Sequence, residues 1–373
     1  MYNNRDRVIL LLLILTLIFS LFTIFISSES TPSVSARAAA LYEPETDSFL
    51  YLKNGNERLG MASTTKIMTA QLAIELLSPN ESIAVDKRAV GIEGSSIYLT
   101  EDEVLTAEDL IYAVILQSAN DAAAALAYKI SGSIEDFALL MNEKARSLGL
   151  VNTSFTNPHG LDDKNHYTTA HDLAIISANA LKNEKFKEIS STYKKEIKSS
   201  ERSRILVNHN KMLKSYDGCI GVKTGYTKKC GRCLVSAAER DELTMISVTI
   251  DAPSDWSDHK RLLDYGFSRL EAKTLAAPGE FTYTLPVLCG EVDKITVANE
   301  DCVRRVFPRG NSDIQAHVKL SRYVTAPIRE GDILGEVIFT QNGEKTASAS
   351  LVAKNTVNEL KKKKGFFSNL ITK

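Results

Sequence analysis

Three short stretches of this chain carry residue types that can act together in acyl transfer. They are Ser63-Thr64-Thr65-Lys66, Ser118-Ala119-Asn120 and Lys223-Thr224-Gly225. Each is common by itself, but in this order they supply a nucleophile, a base, a proton relay and an anchor for a substrate carboxylate. The set therefore predicts one acyl-transfer site that folding assembles from three remote segments.

Ser63 and Lys66 are the predicted nucleophile and base. A serine hydroxyl is a weak nucleophile until a neighbouring group takes its proton. At the start of a helix, a spacing of three residues places both side chains on one face, and Gly60-Met61-Ala62 permits a turn into that helix. A lysine acts as a base only when its pKa is lowered, which burial and a second cation achieve, and Lys223 is the expected second cation.

Ser118 and Asn120 are the predicted proton-transfer groups. The Ser118 hydroxyl is suited to pass a proton between Lys66 and the leaving group, and the Asn120 amide to hold the lysine or a substrate carbonyl. The tripeptide carries little information by itself, so this expectation depends on its position between the other two motifs.

The third motif belongs to a predicted edge strand that a ligand backbone can approach closely. Its β-branched residues and glycines run Gly221-Val222-Lys223-Thr224-Gly225-Tyr226-Thr227. We expect Lys223 to attract a terminal carboxylate, and Thr224 and Thr227 to hydrogen-bond it. The backbone N–H groups of Ser63 and Tyr226 are expected to form an oxyanion hole.

A Ser-His-Asp triad is the obvious alternative to a serine–lysine pair. The chain has six histidines, and three of them, His159, His166 and His171, lie near polar residues in the sequence. No G-x-S-x-G turn occurs, and the H-E-x-x-H spacing of a zinc site is absent. We therefore interpret the histidines as structural and expect neither a metal nor an organic cofactor.

Composition limits the class of protein. The chain has 373 residues, 44% hydrophobic and 24% charged, which fits a globular protein of two or three domains. The net charge of −1 gives no reason to expect a nucleic-acid partner. Cys230 and Cys233 form a single C-x-x-C without the second pair of a zinc site, and we interpret them as small buried residues. Cys289 and Cys302 are the candidate disulfide pair.

The N-terminal segment, assigned to residues 1–32, predicts export. Arg5 and Arg7 precede an apolar run from Val8 to Ile26, the pattern of a signal peptide or an N-terminal membrane anchor. Cleavage near Ser27–Pro32 and retention both stay open. The positive charges favour a cytoplasmic N-terminus, with the rest of the chain at the outer face of the membrane or in the cell wall.

Residues 33–275 alternate β-like and helical segments and predict an α/β (α+β) domain. Thr106 is the expected cap of a helix-rich stretch that reaches Ile130. Strands are predicted at Ala38–Tyr42, Ser48–Leu52 and Thr244–Ile250, and other helices at Lys66–Leu77, Ile134–Leu148, Thr169–Leu181 and His259–Leu270.

The character of the sequence changes at Ala276-Ala277-Pro278-Gly279. Short β-like runs separated by Gly and Asn predict a small all-β sandwich domain at 276–353. These runs are Phe281–Leu288, Lys294–Ala298, Ala316–Leu320, Ile333–Phe339 and Ala347–Ala353. Residues 354–373 hold a lysine run, Lys361 to Lys364, followed by Phe366, Phe367, Leu370 and Ile371 at helical spacing. That pattern predicts a basic amphipathic tail for an anionic membrane surface.

At these positions the chain resembles the D-alanyl-D-alanine carboxypeptidases, the low-molecular-mass penicillin-binding proteins of the S11 serine peptidase type. The matching stretches are Ala62–Thr69, Ser118–Ala122, Asn157–Leu161 with Thr168–Ala170, Lys223–Thr227 and Asp264–Phe267. The resemblance spans the chain from Ala36 to the tail. It implies a penicilloyl-serine-transferase (β-lactamase-like) domain, then a β-sandwich, then a C-terminal amphipathic anchor.

The resemblance also implies roles for the motif residues. Ser63 would form the acyl-enzyme, Lys66 would accept the proton, Ser118 and Asn120 would complete proton transfer, and Lys223 would bind substrate. The expected substrate is the peptidoglycan stem pentapeptide ending in D-Ala-D-Ala, which would lose its terminal D-alanine. β-Lactams are expected to be covalent inhibitors because they mimic that dipeptide.

The sequence departs from the family pattern at two places. Cys230 and Cys233 stand where other members carry different small or aromatic residues, beside the expected site. Some members place an arginine, thought to aid carboxylate binding, before the last helix, but here that segment is Ala252-Pro253-Ser254-Asp255-Trp256. We therefore do not assign the role of that arginine to any residue of this segment.

Two other functions stay open at this point. A class A β-lactamase would need a glutamate-bearing loop such as E-x-x-L-N, and Val151–Leu181 contains none. A catalytically silent cell-wall-binding protein would keep the β-domain and the tail, but it would need neither Ser63 nor Lys66.

Overall fold

The protein was described from a computed structural model, which covers residues 31–310 and 313–361. Residues 1–30, most of the predicted signal or anchor, lie outside the described residues. So do residues 362–373, which hold most of the predicted tail. Within the described ranges, no helix combines the length and the apolar character that crossing a bilayer requires.

The strands are numbered in chain order. They are β1 Ala38–Glu43, β2 Ser48–Lys53, β3 Ser82–Ala84, β4 Val104–Thr106, β5 Lys194–Lys198, β6 Ser203–Val207, β7 Cys219–Thr227, β8 Gly231–Arg240, β9 Leu243–Ile250, β10 Leu270–Ala276, β11 Thr282–Leu288, β12 Lys294–Ala298, β13 Val303–Pro308, β14 Ile314–Leu320, β15 Val324–Thr325, β16 Ile333–Gln341 and β17 Glu344–Ala353. The α-helices are Lys66–Leu76, Ala107–Leu116, Asn120–Ser131, Ile134–Ser147, Ala170–Leu181, Glu184–Ser191, Met212–Ser215 and Asp255–Arg269, and short 3₁₀ helices span Ala62–Thr65 and Lys87–Ala89.

A five-stranded antiparallel sheet in the order β2-β1-β9-β8-β7 organises the first domain. Both of its faces are buried. On one face Ala38, Ala40 and Val235 join the main helical core. On the other face Leu41 and Met245 pack in a second core with the helix Asp255–Arg269. Strand β7 lies at the edge of the sheet, which confirms the edge strand expected from the sequence.

The helix-rich stretch after Thr106 is broken where the second motif lies. The Thr106 hydroxyl accepts a hydrogen bond from the Asp109 N–H at 3.1 Å, which confirms the predicted cap. The first helix ends at Leu116, and Ser118 adopts φ 58° before the next helix begins at Asn120. This left-handed conformation is uncommon for a residue other than glycine, and it turns the chain between the two helices.

Strands β10 to β17 build an all-β region around its own core, whereas β3 pairs with β4 and β5 with β6 beside the main helical core. Strands β14-β16-β17-β12-β11-β15 form one sheet, and β10 pairs with β13 in a second. Strand β10 begins at Leu270, directly after the helix Asp255–Arg269. The all-β region therefore starts before the domain boundary that was predicted at residues 275/276. Past Ala353 the chain continues along this region, because Val357 is buried and bridges Ile328, while Glu359 bridges Gly290.

The predicted Cys289–Cys302 disulfide is wrong. Both cysteines are free and exposed. Cys289 follows β11, and Cys302 precedes β13, and these two strands belong to different sheets. The fold therefore does not pair the two thiols, although they lie close in the sequence. Cys230 and Cys233 are free and buried.

Candidate active site

Ser63 lies in the tight turn that leads into the helix Lys66–Leu76. The turn is held by its own hydroxyls, because Thr64 Oγ1 donates to the Met61 carbonyl at 2.6 Å and Thr65 Oγ1 donates to the Ala62 carbonyl at 2.8 Å. A Cβ on Gly160 would come within 2.0 Å of the Ala62 carbonyl oxygen, so only glycine lets this neighbouring loop pack so closely. The turn fixes the direction of the Ser63 side chain.

The Lys66 amine is completely buried and contacts three oxygen atoms. Its Nζ lies 3.0 Å from Ser63 Oγ, 2.6 Å from Asn120 Oδ1 and 2.6 Å from the His159 carbonyl oxygen. Burial lowers the pKa of Lys66 well below its ordinary value, and Lys223 lowers it further. The carboxylate of Asp121 acts in the opposite direction.

These contacts decide what the neutral amine can do. A neutral amine keeps two N–H donors and one lone pair. Both carbonyl oxygens, on Asn120 and His159, can only accept, so they take the two N–H groups. The lone pair is then left to accept the Ser63 hydroxyl proton. The predicted serine–lysine pair is thus brought together in the geometry of a nucleophile and its base.

Asn120 is oriented from both sides. Its Oδ1 accepts from Lys66, and its Nδ2 donates to the Glu93 carbonyl at 2.5 Å. Its backbone N–H donates to the Ser95 carbonyl at 2.7 Å. Since the amide nitrogen already has an acceptor, the oxygen must face the lysine.

Strand β7 passes beside the nucleophile at Gly225. A Cβ on Gly225 would lie 3.0 Å from the Ser63 backbone nitrogen. Lys223 is 1% exposed, and its Nζ donates to the Thr224 carbonyl at 2.9 Å. Burial lowers the pKa of Lys223 to about 7.

A cavity of about 370 Å³ opens at Ser63. Five predicted site residues line it, namely Ser63, Ser118, Thr224, Gly225 and Tyr226. Lys66 and Lys223 lie buried behind this surface. Thr227 is turned elsewhere, because its hydroxyl donates to Asp162 Oδ1 at 2.9 Å and accepts from the Cys230 N–H.

Seven other residues line this cavity. Sequence analysis placed Cys233 beside the site and noted Asp255 and Trp256 only as a segment without the family's arginine, and it did not single out Ser95, His209, Lys211 and Arg232. They come from several elements, and only strand register and loop packing bring them together. A correct hairpin assignment would have revealed two of these relations, the pairing of Tyr226 with Arg232 and that of Gly225 with Cys233 across β7 and β8.

The three histidines near polar residues make contacts away from the Ser63 hydroxyl. His166 Nδ1 accepts from the Thr156 N–H at 3.0 Å, which leaves its Nε2–H to donate to Thr65 Oγ1 at 2.7 Å. His171 stacks on Phe49. His159 contributes its backbone carbonyl to Lys66. In the part of the chain that the structure describes, no cluster of three His, Cys, Asp or Glu side chains is arranged to hold a metal ion.

Comparison with known proteins gives one consistent result. A family model described as D-alanyl-D-alanine carboxypeptidase, peptidase S11, matches residues 26–254. A model for the C-terminal domain of penicillin-binding protein 5 matches residues 270–359. The D-alanyl-D-alanine carboxypeptidase DacF of Bacillus subtilis is 34% identical over 90% of this chain and 88% of its own length. DacC of Escherichia coli is 31% identical over 91% of this chain and 87% of its own length.

Solved structures agree with this result. Penicillin binding protein 5 from Haemophilus influenzae superimposes with a TM-score of 0.65 and 29% identity, over 88% of this chain and 99% of that chain. A Streptococcus pneumoniae protein, PBP3, gives a TM-score of 0.71 at 23% identity, over 88% of this chain and 100% of that chain, and shows the fold alone. These neighbours confirm the predicted fold class. The chain belongs to the S11 peptidase family of D-alanyl-D-alanine carboxypeptidases.

Proposed function

We propose that this protein is a serine-type D-Ala-D-Ala carboxypeptidase that removes the terminal D-alanine from peptidoglycan stem pentapeptides and is acylated by β-lactams. The observation that carries the proposal is the buried amine of Lys66, 3.0 Å from Ser63 Oγ, with its other two contacts on carbonyl oxygens. That arrangement serves nucleophilic catalysis by serine. The family membership supplies the substrate class.

The first half-reaction forms the acyl-enzyme. Neutral Lys66 accepts the hydroxyl proton as Ser63 Oγ bonds to the carbonyl carbon of the penultimate D-alanine. The backbone N–H groups of Ser63 and Tyr226 stabilise the oxyanion, and the close approach of β7 at Gly225 supports this placement. The C–N bond then breaks, and the proton passes through Ser118 to the nitrogen of the departing D-alanine.

The second half-reaction hydrolyses the acyl-enzyme and regenerates the free enzyme. Water attacks the Ser63 ester, and its proton goes to Lys66 while the other hydrogen stays on the new peptide carboxyl group. The Ser63–acyl bond breaks, and Ser63 recovers its proton from Lys66. Lys223 supports both steps by keeping the pKa of Lys66 low. A direct contact between Lys223 and substrate stays a prediction.

The experiment uses the full chain and its Ser63→Ala variant. D-Alanine release from a synthetic pentapeptide and labelling by fluorescent penicillin should both disappear in the variant. Ser191→Ala is the matched control, because Ser191 is an exposed serine whose hydroxyl donates to the Glu188 carbonyl, away from the cavity. Release or labelling that survives in Ser63→Ala would refute the assignment.

The same reagents separate the alternative functions. A penicillin adduct that lasts minutes to hours fits the carboxypeptidase, whereas sub-second turnover fits a β-lactamase. A silent wall-binding protein would show neither adduct nor D-alanine release.

We also propose that the protein acts at the outer face of the cytoplasmic membrane. The relatives are bacterial carboxypeptidases of this family, and the sequence patterns of both ends support export and membrane contact. Sedimentation with anionic vesicles tests the tail when two chains that both begin at Ser33, and so lack the apolar N-terminal segment, are compared, one running to Lys373 and the other ending at Lys361. Equal sedimentation of the two would remove it from the proposal.

A further inference from the structure

Lys223, the cation expected to attract the substrate carboxylate, is sealed from the cavity. It is 1% exposed, it donates to the Thr224 carbonyl at 2.9 Å, and it does not line the cavity at Ser63. A free carboxylate entering the cavity therefore needs another positive group.

Arg232 is a cation that faces the cavity with its side chain already fixed. It stands opposite Tyr226 in the β7–β8 pairing, and its guanidinium lies 3.0 Å from Asp255 Oδ2. The arginine side chain is 45% exposed, whereas that of Asp255 is 5% exposed. The buried carboxylate thus holds one edge of the guanidinium and leaves the other donors for a ligand.

The register places a hydroxyl beside this guanidinium. Thr224 pairs with Leu234, two residues from Arg232 on the same face of β8, so Thr224 and Arg232 are diagonal neighbours that a long side chain spans. Both line the cavity that contains Ser63. A carboxylate between them would accept from a hydroxyl and from a guanidinium, whose planar fork of donors matches the geometry of a carboxylate.

We infer that Arg232, oriented by Asp255, binds the free C-terminal carboxylate of the substrate together with Thr224. This assignment rests on the proposed carboxypeptidase function and adds to it the group that distinguishes a terminal D-alanine from an internal one. Lys211, which also lines the cavity, is the competing cation. Arg232 is favoured because its partner Asp255 fixes it in advance, so less side-chain entropy is lost on binding.

The test compares two substrates that differ only in that carboxylate. One peptide ends in D-Ala-D-Ala, and the other ends in the same dipeptide as its C-terminal amide. We expect the wild-type enzyme to prefer the free acid. Arg232→Gln should lower kcat/KM for the acid about 10- to 100-fold while changing the amide little, so the preference collapses. Arg232→Lys should restore part of it.

Three controls make the result specific. Arg304→Gln removes another ion-paired arginine, which lies 2.9 Å from Glu45 outside this cavity, and it should keep the wild-type preference. Lys211→Met tests the competing cation. The chain has a single tryptophan, Trp256, which lines the cavity, so its fluorescence in Ser63→Ala backgrounds reports binding of both peptides without turnover.

Several outcomes overturn the inference. They are an unchanged acid/amide ratio in Arg232→Gln, an equal loss on both substrates, a wild-type enzyme without preference, or a preference that disappears in Lys211→Met instead. If Arg232→Gln fails to fold, an Arg232→Lys variant with the full wild-type ratio and affinity also counts against it. No D-alanine release by the wild-type enzyme would instead refute the proposed function.

Discussion

Replacing Asn120 by aspartate tests whether Lys66 works as a neutral base. The change keeps the shape of the side chain but puts a carboxylate oxygen where Asn120 Oδ1 now accepts from Lys66 Nζ at 2.6 Å. A carboxylate there stabilises the ammonium form of the lysine. The pKa of Lys66, now well below its ordinary value because of burial, would therefore rise.

The distance gives the scale of the effect. Two unit charges separated by 2.6 Å interact by about 6 kcal/mol at an effective dielectric constant of roughly 20. Burying the new carboxylate offsets much of this, because it would also face the Glu93 carbonyl that now accepts from Nδ2 at 2.5 Å. If about 2 kcal/mol of bias toward the ammonium remains, the ratio of neutral to ammonium Lys66 falls roughly 30-fold at any given pH.

The assay is the rate of Ser63 acylation by fluorescent penicillin across pH. Because the reactive form of Lys66 is deprotonated, the rate rises with pH through its pKa. Asn120→Asp should displace the rising limb to higher pH and slow acylation by up to roughly 30-fold at pH values on that limb, with a smaller loss where Lys66 is already neutral. Asn120→Ala is the matched control. It removes an acceptor that either form of the amine can use, so it should slow acylation without that displacement.

One result would refute this reasoning. If Asn120→Asp followed the wild-type pH profile, or if both variants displaced it equally, Lys66 would not be the group whose deprotonation limits acylation. Thermal unfolding of each variant separates this outcome from loss of the fold.

Two further predictions concern the edge strand and the buried histidines. Gly225→Ala puts a methyl group 3.0 Å from the Ser63 backbone nitrogen, so β7 must shift. Acylation by penicillin should then slow about 10-fold or more. An unchanged rate would contradict the close approach of β7 to Ser63. His259 is fully buried, and burial lowers its pKa to about 3. Its neutral form therefore stabilises the fold above pH ~6.5, and this contribution should fall by up to about 1.4 kcal/mol per pH unit as the pH drops toward 3. Urea unfolding at pH 7 and 4.5 should show a weaker pH dependence of the unfolding free energy for His259→Gln than for the wild type. The exposed control His317→Gln should match the wild type. An equal pH dependence in all three proteins would refute the role assigned to His259.

Elements with a local signal were predicted well from the sequence. The helix expected at Lys66–Leu77 spans Lys66–Leu76, and the strand Lys294–Ala298 has the predicted bounds. The cap at Thr106 is present. Side-chain periodicity and capping act over a few residues, so they are readable before any tertiary contact is known.

Strand β8 gave no such signal, although it is central to the site. Its sequence from Gly231 to Arg240 is buried on both faces over most of its length, so polar and apolar residues do not alternate as in a half-exposed strand. Missing β8 also hid the register that places Arg232 opposite Tyr226. The burial of Lys223 could not be predicted either, because its neighbours in the sequence do not indicate whether the folded protein will bury its side chain.

The burial of Lys66 explains why this site is assembled from remote segments of the chain. An amine open to water stays protonated at neutral pH, so a lysine base must be enclosed. Burying the amine costs little free energy only if hydrogen-bond acceptors take its N–H groups. The acceptors are Asn120 Oδ1 and the His159 carbonyl oxygen, which lie on different segments of the chain. Lys223 and Asp121 then act on the pKa of Lys66 in opposite directions. Any substitution that admits water beside Lys66 should therefore weaken acylation, even when every direct contact of Ser63 is kept.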